Sequence, residues 1–249
     1  MSLAIVLAGG TGSRIKSADI PKQYIEVGGK PIISYVLETV YSVEEITDIA
    51  VVAEPSWQDE IFSLAGGAAE EAGQEMEELT VNFAEPGENR QMSVLNGLKA
   101  LSDVALKDDL VAVIDAARPN MSRELLAETL SAAAACDGAI PVLPMKDTVY
   151  LSKDGKVISS LLPREQVFAG QAPEAFRYGK YLAANEALLP DRILTIHGST
   201  ELAILAGLDI AVIPGDEENF KITTDADLQR FREQVEKKHE FSGRNPGFF

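Results

Sequence analysis

The stretch LAIVLAGGTGSRI, residues 3–15, decides how the rest of the chain is read. The unbroken apolar run at 3–8 marks a strand buried on both faces of a parallel sheet. It ends in Gly9, Gly10 and Gly12, which allow a tight turn and let backbone N–H groups approach an anion closely. Arg14 and Lys16 follow, and Lys22 stands in PKQY at 21–24. Ligands of open α/β sheets bind beyond the C-terminal ends of the strands, so this turn is the first place to look for a site.

Outward from it, strands and helices alternate. PIISYVLETV (31–40) puts Ile33, Val36, Leu37 and Val40 on one helical face, with Pro31 suited to the first turn. DIAVVA (48–53) reads as a strand, a helix follows from about Trp57, and LTVNFA (79–84) is the next strand. SVLNGLKAL (93–101) is helical in period, LVAVIDAARP (110–119) is a strand running into a loop, RELLAETLSAAAA (123–135) a helix and GAIPVLP (138–144) a strand. The alternation predicts a Rossmann-like α/β domain, a mostly parallel sheet flanked by helices. It breaks at MKDTVYLSKDGKVISSLL (145–162), where Asp154-Gly155 signals a hairpin inserted as a lid or a dimer arm. Helical patterns return at 177–189 and 200–206, then a strand DIAVIPG and a last helix DADLQRFREQVEKK with Asp225 as its cap. Residues 1–240 read as one domain carrying the arm at 145–165, and 241–249 as an irregular tail.

The chain has 249 residues, 46% of them hydrophobic, and a net charge of −17. That acidity disfavours nucleic acid as a partner, because a phosphate backbone needs a basic stripe. EEAGQEMEEL (70–79) reads as a solvated helix face. The single cysteine, Cys136, excludes a disulfide framework and points to a reducing compartment. No apolar run approaches the roughly 18 residues of a membrane span. The run at 2–8 is too short and lacks the basic flank of a secretory signal. A cytoplasmic protein without membrane contact is the expectation.

Taken alone, the loop leaves several readings open. A Walker loop fails on spacing. A dinucleotide fingerprint has Gly10 and Gly12 but Ile15 at its third glycine, although Glu54 could serve as its acid. A plain glycine turn with stray cations also fits. The wider pattern narrows this. LAGGTGSRI, PKQY and GGKPII resemble the opening of the sugar-nucleotidyltransferase superfamily. GENRQMSVLNGL (87–98), DAARP (115–119), PMKDTVY (144–150), GQAPEAF (170–176) and NFKITTDADL (219–228) then follow in order. The ordered set, spanning residues 3 to about 235, resembles the cytidylyltransferases that act on 2-C-methyl-D-erythritol 4-phosphate in isoprenoid precursor synthesis. The ribitol 5-phosphate cytidylyltransferases are close relatives of that group.

The resemblance implies a magnesium-dependent transfer of CMP from CTP to a polyol phosphate, giving a CDP-polyol and pyrophosphate. It implies catalytic roles for Arg14, Lys22 and Lys221. It implies CTP contacts from Leu7, Ala8, Gly9, Gly10, Thr11, Gly12, Gly87, Ser93 and Asp115. Ser93 read locally is equally a helix N-cap. Lys16 reads as a solvated lysine and Arg118 as a loop support. Asp115 and Asp216 are the implied metal positions. Asp216, Lys221, Thr148 and Arg164 are the implied acceptor contacts, the last two reaching over from the partner subunit of a homodimer built on the arm. Glutamate stands at 174 where the family usually has glutamine, alanine at 172 where it has threonine, and Pro86 where it has glycine. His197-Gly198-Ser199 replaces a usual Thr-Asp-Asp. These departures fall on the side expected to hold the acceptor. SVLNGL and DAARP lean toward the methylerythritol enzymes, REQVFAGQ toward the ribitol ones. A non-catalytic nucleotide-binding relative is the alternative of another class.

Overall fold

The computed structural model describes residues 1–10, 15, 17–73 and 81–243. β1 (Ser2–Leu7) is followed by a short hairpin, β2 (Glu26–Val27) and β3 (Lys30–Pro31), and by α1 (Ile32–Tyr41). Then come β4 (Ile46–Val52), α2 (Pro55–Glu71), β5 (Val81–Ala84), α3 (Arg90–Ala100), β6 (Leu110–Asp115), α4 (Arg123–Ala135) and β7 (Gly138–Pro144). The expected hairpin is β8 (Val149–Leu151) against β9 (Ser160–Leu162), closed by Gly155 at φ 70° and by the Asp154 carboxylate, which accepts from the N–H groups of Lys156 and Val157. β10 (Phe168–Gly170), β11 (Glu174–Arg177), α5 (Tyr178–Glu186), α6 (Ser199–Leu205), β12 (Ile210–Pro214) and α7 (Asp225–Gly243) complete the chain.

The main sheet runs β10-β7-β11-β6-β1-β4-β5, with β12 also on β7. β1 pairs in parallel with β4 and β6, and β4 with β5. β11 is antiparallel to both β6 and β7, so it interrupts the parallel order. Alternation within the apolar run of β1 serves two cores. Ala4 and Val6 pack with α1, α2 and α4, while Leu3 and Ile5 pack with α3, α5 and α6. Each fully buried aliphatic side chain contributes about 1.5–3 kcal/mol. A third cluster seats Leu228, Phe231 and Val235 of α7 on Ile15, Ile25 and Ile222, beside the glycine loop.

Asn89 caps α3 by accepting from Met92 N–H, and Ser122 caps α4 by accepting from Leu125 N–H. At α7 the expected cap moves by one residue. Thr224 Oγ1 accepts from Asp227 N–H and the Asp227 carboxylate accepts from Thr224 N–H, while Asp225 instead receives Ser17. The boundary at 240 also shifts, because α7 continues through 241–243. Among the described residues no helix is long and apolar enough to cross a membrane.

Candidate active site

β1 has β4 and β5 on one side and β6 on the other, so the strand order reverses between β1 and β6. A cavity of about 470 Å³ opens beyond their C-terminal ends. Leu7, Gly9 and Gly10 come to it from β1, and Asp115, Ala116 and Ala117 from β6. Gly87, Arg90 and Ser93 line it from the start of α3, Lys22 and Lys221 from two loops.

The glycine loop is fastened from behind. Gln23 Nε2 donates to the carbonyls of Ala8 and Gly10, and Tyr24 Oη donates to Ala8 O at 3.3 Å. Ala8 is therefore buried behind the wall, with its carbonyl held by both side chains. Burial raises the Tyr24 hydroxyl to about 12, so it stays a neutral donor. A Cβ on Gly9 would lie 2.3 Å from Pro86 Cγ, so Pro86 closes the space beside the loop. Thr11, Gly12, Arg14 and Lys16 lie outside the described residues.

Gly87 and Ser93 act on one another. Gly87 N–H donates to Ser93 Oγ, which donates to Asn89 O, each at 3.0 Å. The helix cap is Asn89, not Ser93. A Cβ at Gly87 would fall 2.3 Å from Met92 Cβ, so only glycine fits this wall.

Asp115 is the electrostatic centre. Lys221 Nζ lies 2.9 Å from its Oδ2, Arg118 Nε 3.5 Å from Oδ2, and Arg90 Nη2 3.4 Å from Oδ1. Burial alone pushes this carboxyl up, but Arg90, Lys221 and Arg118 outweigh it and hold the group well below the usual carboxylate range. Two hydrogen bonds to the backbone of Ile222 bring Lys221 here. Ile222 N–H donates to Ala117 O at 2.8 Å, and Lys22 Nζ donates to Ile222 O at 2.7 Å. Arg118 also donates to Asn219 O at 2.6 Å, which makes it the loop support expected of it.

Arg90 is the residue that sequence reading passed over. Its guanidinium donates to Ser199 Oγ, to Asp115 and, at 3.2 Å, to Glu174 Oε1. The one available signal was a lone arginine between Gly87 and Ser93 in an acidic chain. Ser199 is fully buried, Gly198 precedes α6, and His197 is exposed with its N–H on Glu201. The segment 197–199 thus meets the cavity wall through Arg90.

Thr148 and Arg164 are exposed on the arm, with Arg164 donating to Lys146 O, and neither lines the cavity. Asp216 does not line it either, because its carboxylate accepts from Glu218 N–H within its own loop. Among the described residues no group of three or more His, Cys, Asp or Glu side chains is placed to hold a metal ion.

The family model described as 2-C-methyl-D-erythritol 4-phosphate cytidylyltransferase matches residues 2–236. The chain belongs to the 2-C-methyl-D-erythritol 4-phosphate cytidylyltransferase family. Members of this family are nucleotidyltransferases, and the chain is an enzyme of that kind. It is 35% identical over 229 residues to a 2-C-methyl-D-erythritol 4-phosphate cytidylyltransferase of Geobacter metallireducens, covering 90% of this chain and 93% of that one. It is 29% identical over 238 residues to a ribitol-5-phosphate cytidylyltransferase of Streptococcus agalactiae serotype III, covering 93% and 94%. The crystal structure of 4-diphosphocytidyl-2C-methyl-D-erythritol synthase from Anaerococcus prevotii superposes with a TM-score of 0.78 at 26% identity, covering 94% of this chain and 96% of that one. The mostly parallel α/β sheet flanked by helices expected from the alternation is the fold observed.

Proposed function

We propose that this family member transfers CMP from CTP to 2-C-methyl-D-erythritol 4-phosphate, releasing pyrophosphate. The observation that carries the reading is the cluster of Lys22, Arg90 and Lys221 on the cavity wall, with Arg118 against Asp115 behind them, in a chain of net charge −17. Two anions must meet in this reaction, and the scarce cations are concentrated where they would meet.

An oxygen of the acceptor phosphate attacks the α-phosphorus of CTP in line. The new P–O bond forms as the bond from the α-phosphorus to the bridging oxygen breaks, and pyrophosphate leaves with that electron pair. A phosphate monoester has its second pKa at about 6, so the nucleophile is already largely dianionic at neutral pH and no protein base is required. Lys22 and Lys221 neutralise charge that builds up at the reacting phosphorus, and the N–H groups of Gly9 and Gly10 receive the triphosphate. Gly87 and Ser93 form the narrow wall against which cytosine is read.

Magnesium fits this donor set sparingly. Asp115 supplies one hard oxygen ligand at the cavity wall, and the ion characteristically takes one or two carboxylates together with substrate phosphates and water. When bound it screens the charge of the triphosphate oxygens. Asp216 is not required for this.

The acceptor half of the site is completed by Thr148 and Arg164 of the partner subunit of a homodimer. Support comes from the arm itself, which exposes Tyr150, Leu151, Val157, Ile158 and Leu161 to solvent in the single chain. Ribitol 5-phosphate is the second acceptor to examine, because the Streptococcus relative named for it covers nearly the whole chain.

The test is pyrophosphate release with Mg²⁺, each of the four nucleoside triphosphates, and both polyol phosphates. CTP with methylerythritol phosphate is expected to give the highest kcat/KM. Equal use of all four triphosphates would overturn the cytidine assignment, and preference for ribitol phosphate the choice of acceptor.

A further inference from the structure

Arg90 shares Asp115 with Lys221 and Arg118, meeting Oδ1 at 3.4 Å while the other two cations lie against Oδ2. The nearer carboxylate is that of Glu174, at 3.2 Å, which is itself buried in β11 and faces no other cation at salt-bridge distance among the described residues. The second Glu174 oxygen accepts from Thr200 N–H at 2.9 Å and Thr200 Oγ1 at 2.7 Å. Ser199, next to that threonine, takes the other end of the same guanidinium. Arg90 is therefore held between β11 and the first turn of α6. Its side chain keeps 27% exposure, on the cavity wall.

We propose that Glu174 is a positioning residue that aims Arg90 at the triphosphate and leaves Asp115 to Lys221, and that positions 174 and 199 form an exchangeable pair in which one member must be a carboxylate. The glycine-loop cavity being the CTP site is the premise of this proposal. The pairing follows from geometry. Glu174 Oε1 and Ser199 Oγ approach the same guanidinium, so a carboxylate moved from one position to the other still meets it. Two carboxylates at once leave one buried charge without a partner, and none leaves Arg90 competing for Asp115. The departures at 174 and 199 then compensate one another, and neither selects the acceptor.

The experiment is a double-mutant cycle on full-length protein with Glu174→Gln, Ser199→Asp and the combination. It is read by calorimetric binding of CTP with Mg²⁺, by kcat and KM, and by melting temperature. Each single variant is expected to weaken CTP binding roughly tenfold or more, from the loss or frustration of a charged hydrogen bond. The loss falls mainly on the KM for CTP. The double variant is expected to return to within about threefold of the parent, a sign reversal that independent structural damage does not produce. Glu174→Gln binding CTP like the parent would overturn the proposal. So would a double variant that melts like the parent but binds no better than the single variants. If Glu174→Gln fails to fold, the comparison of Ser199→Asp with the double variant still decides, because the second substitution has to restore binding. Parent protein that binds no CTP would instead refute the assignment of the cavity, a result distinct from any of these.

Discussion

Lys221 reaches Asp115 across 2.9 Å, although one sits in the loop before the last helix and the other at the end of a central strand. The contact draws the carboxylate-bearing strand end and a cation of the proposed phosphate site into one unit. Removing Lys221 therefore alters charge compensation on the protein and on the substrate together. Lys221→Ala and, separately, Lys22→Ala are expected to lower kcat on the order of 10²–10³, the scale of losing a preorganised donor. Steady-state pyrophosphate release checks this, and activity within a few-fold of the parent would remove both lysines from the chemistry.

The three cations around Asp115 also set an acid limit on stability. The folded carboxyl lies below its ordinary value of 3.8, so its contribution to folding is complete above that value and is lost as the pH falls through it toward the lower folded value. Urea unfolding of the parent and of Asp115→Asn is expected to show a stability gap that is constant at near-neutral pH and narrows below about pH 4. A gap that stayed constant into acid would mean that the carboxylate charge does not stabilise the fold.

Gly87 allows a third, purely steric test. In Gly87→Ala the new methyl would meet Met92 Cβ at 2.3 Å and the Met92 carbonyl carbon at 2.8 Å. The first turn of α3 has to move, and Arg90 and Ser93 move with it. A cost of about 1–3 kcal/mol in stability is expected, with a larger loss in CTP affinity than in kcat. Unchanged melting and unchanged CTP binding would contradict the packing described at this wall.

Mixing Lys22→Ala with Arg164→Ala subunits tests the composite site. Each homodimer is expected to be nearly inactive. Exchange should restore activity, because one site of the mixed dimer takes Lys22 and Arg164 from the two unmutated halves. Proven exchange without recovery would mean that each site is built from one chain.

The parts of this architecture that were legible in the sequence are those written in local patterns. β1 shows as an apolar run, while α4 and β7 appear at 123–135 and 138–144 as read because Ser122 caps the one and a continuous apolar run marks the other. β11 was missed. GQAPEAF carries a proline and leaves only four residues of strand, and its pairing with β6 and β7 is a long-range event. The buried carboxylate of Glu174 was hidden with it. In the site, Lys22, Asp115 and Lys221 were found through their motifs, whereas Arg90 was not, since no spacing tells which arginine at a helix start turns into a cavity. The bond from Arg90 to Ser199 was out of sight for the same reason. An exposed loop and a buried latch on an arginine look alike until β11 is in place.

One further consequence lies in the packing of Tyr24. Its ring stacks on Trp57 with centroids 3.9 Å apart and planes 8° from parallel, and its hydroxyl holds the carbonyl at the root of the glycine loop. Trp57 is the only tryptophan in the chain. The protein thus carries a native optical probe, one indole in van der Waals contact with the residue that tethers the glycine loop. A ligand that displaces the loop is expected to change its emission, with no label attached and no second indole to subtract.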